Sequence, residues 1–150
     1  MNNSTINEKC IKVCNSLLRG ELSAVETYGK AIVKFPGTPV TAELTRIQSE
    51  HRQSANRLTQ NIREMGGEPD TDSGAWGAFA KAVQSAANLF GAESAIESLQ
   101  NGEEHGRNDY EDALKNDDVM AECKTMIRSE LLPRTQSHIA TLERLEDVVD

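Results

Sequence analysis

The chain is poor in aromatic residues, at 4%, and carries only 4 Pro and 10 Gly in 150 residues. That composition is not typical of a β-sandwich or barrel, which are turn-rich and built from many short strands. No stretch approaches 18 consecutive apolar residues, so no segment is expected to span a bilayer. The start, MNNSTINEKCIKVC, is polar and has no apolar h-region, so no secretory signal is expected. Positive charge is also short. The formal net charge of −8 repels phosphate backbones and anionic lipid, so neither nucleic acid nor a membrane surface is expected as a partner. The acidity serves solubility and can also collect cations.

Cysteine is scarce and odd in number. Cys10, Cys14 and Cys123 make no CxxC and no Cys/His zinc spacing. Cys10 and Cys14 lie on neighbouring turns of one helix, where core packing competes with a redox role. A reducing, cytoplasmic compartment is expected. There is no Walker or GxGxxG loop. No Ser sits in a Gly-flanked strand-to-helix elbow. Glu50-His51 is not a metalloprotease motif, because no second His follows on the same face.

What the chain does have is helical periodicity. Thr5-Ile-Asn-Glu8 is a capping box. Apolar or small residues then fall at Ile6, Cys10, Val13, Leu17, Ala24, Tyr28, Ile32 and Phe35, alternating between steps of three and four. Pro36-Gly37 ends that run, and Thr38-Pro39 supplies an N-cap with Pro at the first helical position. A second stripe, Val40, Leu44, Ile47, Ala55, Leu58, Ile62 and Met65, stops at Gly66-Gly67. So short a loop turns the second helix back along the first. Residues 74–90, Ala-rich with Trp76, Phe79, Val83 and Phe90 as anchors, suit a helical crossover. If Trp76 and Phe79 were left exposed there, they would mark an interface. A third helix is expected from near Glu93 to about Leu114, then a turn and N-cap at 116–118. The fourth helix follows, kinked at Pro133. These signals predict one all-α domain over 1–150: an antiparallel four-helix bundle with a crossover between helices two and three.

A faint internal repeat runs through that pattern. Residues 16–32, SLLRGELSAVETYGKAI, align with 98–114, SLQNGEEHGRNDYEDAL. The two share Ser-Leu, then Gly20-Glu21 with Gly102-Glu103, then Tyr28 with Tyr110 and Ala31 with Ala113. His51 and His138 are each followed by five residues and then Arg-Leu. The repeat predicts two related helix pairs about a pseudo-twofold axis. Each helix then points one ionisable side chain inward: Glu21, His51, Glu103 and His138. Buried charges of this kind demand partners. Tyr28 and Tyr110, two turns on, are near enough to bond another polar core group. Counting from the turns, Glu21 and His51 are nearly level. His138 is about seven residues out of step with Glu103, about 10 Å in straight helices. Glu104 and His105 read as a solvated face, and Glu26 is rotated away from Glu21.

The Gly20-Glu21 to Tyr28 segment resembles the first helix of rubrerythrin-like ferritin relatives. Residues 5–147 as a whole resemble a bacterial family of ferritin-like four-helix proteins with no established function. In the ferritin-like superfamily helices one and three each supply a Glu, and helices two and four each supply Glu-x-x-His. The resemblance assigns Glu21 and Glu103 to the single Glu positions and His51 and His138 to the His positions, as metal ligands. The remaining Glu positions fall at Gln48 and Thr135, and neither is a carboxylate. A di-metal site draws on about six protein ligands. Two Glu and two His suit a single ion such as iron or zinc, or two Glu–His hydrogen-bonded pairs without metal. The resemblance therefore implies a bundle without active di-iron chemistry, acting as a structural or interaction module, with stress physiology as the setting by analogy. The alternative is an iron- or zinc-binding protein, an oxidoreductase or iron handler, on the same four residues. It admits a homo-oligomer as well as a bundle that stands alone.

Overall fold

A computed structural model of the chain describes residues 3–35, 37–73 and 91–149. It is all-α, with four helical rods and no strand among the described residues. The rods are α1 (Asn3–Ile32), α2 (Pro39–Glu64), α3 (Ala92–Lys115) and a fourth in three parts. That last rod runs through α4 (Ala121–Met126), a π turn (Ile127–Leu131) and α5 (Leu132–Val149). The arrangement is consistent with a four-helix bundle. The expected crossover, with Trp76, Phe79, Val83 and Phe90, lies outside the described residues. No helix among the described residues is long and apolar enough to cross a membrane.

The punctuation of α2 follows its sequence. Thr38 is the N-cap and its Oγ1 accepts from the Thr41 amide, with Pro39 in the first turn. Gly66 ends the rod at φ 84°, a left-handed conformation that costs glycine little. The Gly67 amide then returns to Ile62 O at 2.9 Å. Asn7 near the start of α1 donates to Met65 O at the end of α2, and Ile11 packs within contact distance of Gly67.

Three local expectations need correction. α1 is already helical at Asn3, so Thr5 is inside the helix. The N-cap of α4 is Met120, not a residue of 116–118. Asn116 spends its side chain on the turn, accepting from the Asp118 amide at 2.8 Å, and the chain buries Val119 before turning helical. The irregularity expected at Pro133 is a π turn just before it, where the Leu132 amide reaches Ile127 O, five residues back. Proline has no N–H and its ring crowds the carbonyl four residues earlier, so a wider turn relieves both problems.

Packing divides the interior in two. One apolar cluster holds Cys10, Cys14, Leu18, Leu58, Ile62, Cys123, Ile127 and Leu131. The other holds Tyr28, Phe35, Leu44, Ile47, Ile96, Leu99 and Leu142. In each rod a polar residue interrupts the stripe between them: Glu21, His51, Glu103 and His138, all at most 5% exposed. α1 packs mainly on α2 and α3 on α5, with further contacts of α1 on α3 and α2 on α5. Each polar residue therefore faces the others across the middle of the interior.

Candidate metal centre in the polar layer

Helical spacing explains why these side chains point inward. Glu21 follows Leu17 by one turn, His51 follows Ile47, and Glu103 follows Leu99, so each inherits the buried face of its rod. His138 sits three residues past buried Thr135 and four before Leu142. The expected 10 Å offset between His138 and Glu103 is absent: His138 Nδ1 lies 3.2 Å from Glu103 Oε1 and 3.3 Å from Oε2. Two features shorten the offset. The turn extends to Met120, which moves its midpoint toward His138. The π turn also adds a residue with little added rise.

His51 is held from both sides. Its Nδ1 meets Glu21 Oε2 at 2.6 Å and its Nε2 meets Glu103 Oε1 at 2.5 Å. His138 is held likewise, by Glu103 on Nδ1 and by Glu50 Oε1 on Nε2 at 2.9 Å. Glu50 in turn accepts from Arg46 at 2.8 Å. At the other end Tyr110 donates to Glu21 Oε1 at 2.5 Å. A continuous chain of hydrogen bonds thus runs from Tyr110 through Glu21, His51, Glu103, His138 and Glu50 to Arg46. The two imidazole rings stand 4.7 Å apart between centroids.

The electrostatics follow from that chain. Burial disfavours the imidazolium of His51, yet the charges of Glu103 and Glu21 outweigh it and hold its pKa well above the ordinary value. Burial also disfavours the Glu103 carboxylate, but the His51 charge and bonds from both His rings bring it down to about 2. Glu50 is lowered too: its partial burial is outweighed by the bond from His138 and by Arg46. Tyr28 and Tyr110 are both pushed well above the usual phenol range by burial and by nearby carboxylate charge.

The ligand atoms of His51, Glu103 and His138 all lie within 4.8 Å of one another. Glu21 does not belong to that group; it occupies the far nitrogen of His51. Gln48 and Thr135 bring no carboxylate to the layer. Gln48 donates to Val25 O, and Thr135 bonds back to Leu131 O. Tyr110 and Tyr28 part company. Tyr110 crosses to the Glu of the other half of the repeat, whereas the buried Tyr28 hydroxyl lies near Glu103 without a well-formed hydrogen bond among the described residues. A cavity of about 50 Å³, enough for a water or a small ligand, is lined by Tyr28, Glu103, His51, Glu21 and Tyr110. Glu104 and His105 are exposed, as their spacing implies.

Glu50 is the residue that sequence reasoning missed. It stands next to His51 and points to a different rod, so helix periodicity assigns it to the flank. The available signal was charge spacing: Arg46 and Glu50 form an i,i+4 pair, which fixes the carboxylate at the edge of the interior.

No curated protein and no solved structure matches the chain. Residues 9–116, well over half of its length, match one family, described as "Domain of unknown function (DUF2383)". That match spans Glu21, His51 and Glu103 and ends before the fourth rod, which carries His138. The chain belongs to the DUF2383 family of domains of unknown function.

Proposed function

We propose that this protein binds a single divalent metal ion through His51 Nε2, His138 Nδ1 and Glu103, within an antiparallel ferritin-like bundle formed by residues 1–150 as one domain. The observation that carries the reading is the carboxylate on the outer nitrogen of each of these rings. Glu21 holds Nδ1 of His51 and Glu50 holds Nε2 of His138. Metal-binding histidines commonly donate their second N–H to such a carboxylate, which fixes tautomer and orientation. Two His and one carboxylate form a donor set that suits non-haem Fe(II) or Zn(II) and leaves coordination positions open.

Charge supports the same reading. Without metal, the charged His51 ring places a proton between its Nε2 and Glu103. A divalent cation in place of that proton meets the Glu103 and Glu21 carboxylates that already favour positive charge there. The Tyr28 hydroxyl and the adjoining cavity leave a bonding position for a water or small ligand. A metal there would act as a Lewis acid or a redox centre. A di-iron centre does not fit, because Gln48 and Thr135 supply no bridging carboxylate.

Anaerobic titration of chelator-stripped protein with Fe(II) tests the proposal. The expected result is uptake of one equivalent with release of the His51 Nε2 proton and a raised melting temperature, all lost in His51→Ala. Uptake that survives His51→Ala, or none in the wild type, would overturn it. The second reading is a structural or interaction module with a metal-free core. It is favoured by the 2.5 Å contact of His51 with Glu103, which a shared proton satisfies without an ion. The same titration decides between the two readings.

A further inference from the structure

The three cysteines, scattered in sequence, meet in space. Cys10 and Cys14 lie one turn apart on α1, and Cys123 arrives from α4. Cys10 Sγ is 3.4 Å from Cys123 Sγ, and Cys14 Sγ is 4.0 Å from it. All three are at most 1% exposed, and their sulfurs lie within 4.8 Å of one another. A fourth polar atom faces them. Asn61 Oδ1, from α2, is 3.1 Å from Cys123 Sγ and 3.8 Å from Cys14 Sγ. The Met120 amide donates to Cys10 Sγ at 3.4 Å.

Three sulfurs and an amide oxygen turned toward one another need positive charge between them, as thiol protons or as a cation. A tetrahedral ion with metal–sulfur bonds near 2.3 Å holds its sulfurs about 3.8 Å apart. The spacings of 3.4 and 4.0 Å bracket that value. We propose that Cys10, Cys14 and Cys123, with Asn61 Oδ1 as fourth donor, form a closed thiolate site for a zinc-type divalent cation, separate from the Glu/His layer. Thiolate ligands select soft and borderline metals. On binding, each S–H bond breaks, its proton leaves to solvent, and a sulfur–metal bond forms from the sulfur lone pair, so no atom changes oxidation state. Three thiolates and one divalent ion leave a single negative charge, which the Met120 N–H offsets at Cys10.

Cd(II) is the probe, because only sulfur ligation gives it a strong thiolate-to-metal absorption in the ultraviolet. Fully reduced wild-type protein titrated with Cd(II) should develop that band with an end point at one equivalent. Cys123→Ser should reduce the intensity by about a third, in proportion to the sulfurs bound, and weaken affinity at least tenfold. His51→Ala should leave band and end point unchanged, which keeps this site independent of the Glu/His reading. A wild type without the band overturns the proposal, and that result does not depend on any variant folding. So does a band unaltered in Cys123→Ser.

Discussion

The Glu/His layer and the thiol cluster occupy the same interior but are built on opposite principles. The layer draws one residue from each rod, is charged, and spreads across both halves of the repeat. The cluster draws two cysteines from α1 and one from α4, is neutral while protonated, and its cysteines align with no cysteine under the repeat. A buried charge needs a partner of opposite sign, so the layer is bound together by mutual need. A buried thiol is tolerated as a small apolar group, so the cluster can rest as ordinary packing. The layer is therefore expected to matter for folding whatever it binds, and the cluster chiefly when its protons are displaced.

The largest expected effect comes from removing the centre of the layer. In His51→Ala, Glu21 and Glu103 lose their shared cation, and metal-free stability should fall by about 3–5 kcal/mol in urea unfolding. Cys14→Ala, by contrast, should cost about 1–2 kcal/mol. Equal losses from the two substitutions would erase the distinction between the regions. Next come the outer carboxylates. Glu21→Gln and Glu50→Gln should each lower Fe(II) affinity about 10–100-fold in a competition titration, with one equivalent still bound. No change in affinity would return Glu21 and Glu50 to purely structural roles.

The pH dependence of the melting temperature sharpens the contrast further. Glu103 is depressed to about 2, so its contribution is present above about 4.5, the ordinary carboxylate value, and is lost as pH falls toward 2. His51 is raised, so its contribution is complete below about 6.5 and is lost as pH climbs through its folded value. Metal-free protein should therefore be most stable between about pH 4.5 and 6.5 and weaken on both sides. In His51→Ala the alkaline decline should vanish. The smallest effect is expected at Gly106, in the middle of α3. A Cβ there meets nothing within 4 Å, so Gly106→Ala should stabilise by about 0.5–1 kcal/mol in thermal melts.

Much of this architecture was legible from periodicity and caps. The α2 stripe from Val40 to Ile62, the Thr38-Pro39 start and the Gly66 stop all depend on local rules, and each is where those rules place it. In α1 the stripe is rotated slightly: Cys14, Leu18 and Ala31 are buried while Val13, Ala24 and Ile32 are only half-buried. The reason is that two neighbouring rods share that face. The inward direction of Glu21, His51, Glu103 and His138 was legible because each continues a stripe. What each of them touches was not. Tyr110 bonds the Glu of the other half, and Glu50 reaches His138 across 88 positions in sequence. Neither contact leaves a local signature.

By itself, then, the sequence determined that this is a helical protein with one Glu or His on the buried face of each rod. Helix propensity, capping and periodicity act over a few residues, and a single chain displays them in full. Only the tertiary structure decided that His138 stands level with Glu103 and that Glu21 and Glu50 back the two rings rather than join Glu103. The meeting of Cys10, Cys14, Cys123 and Asn61 was decided there too. Those outcomes depend on loop length, on the π turn before Pro133 and on the packing of separate rods, where a shift of one residue turns a side chain by about 100°.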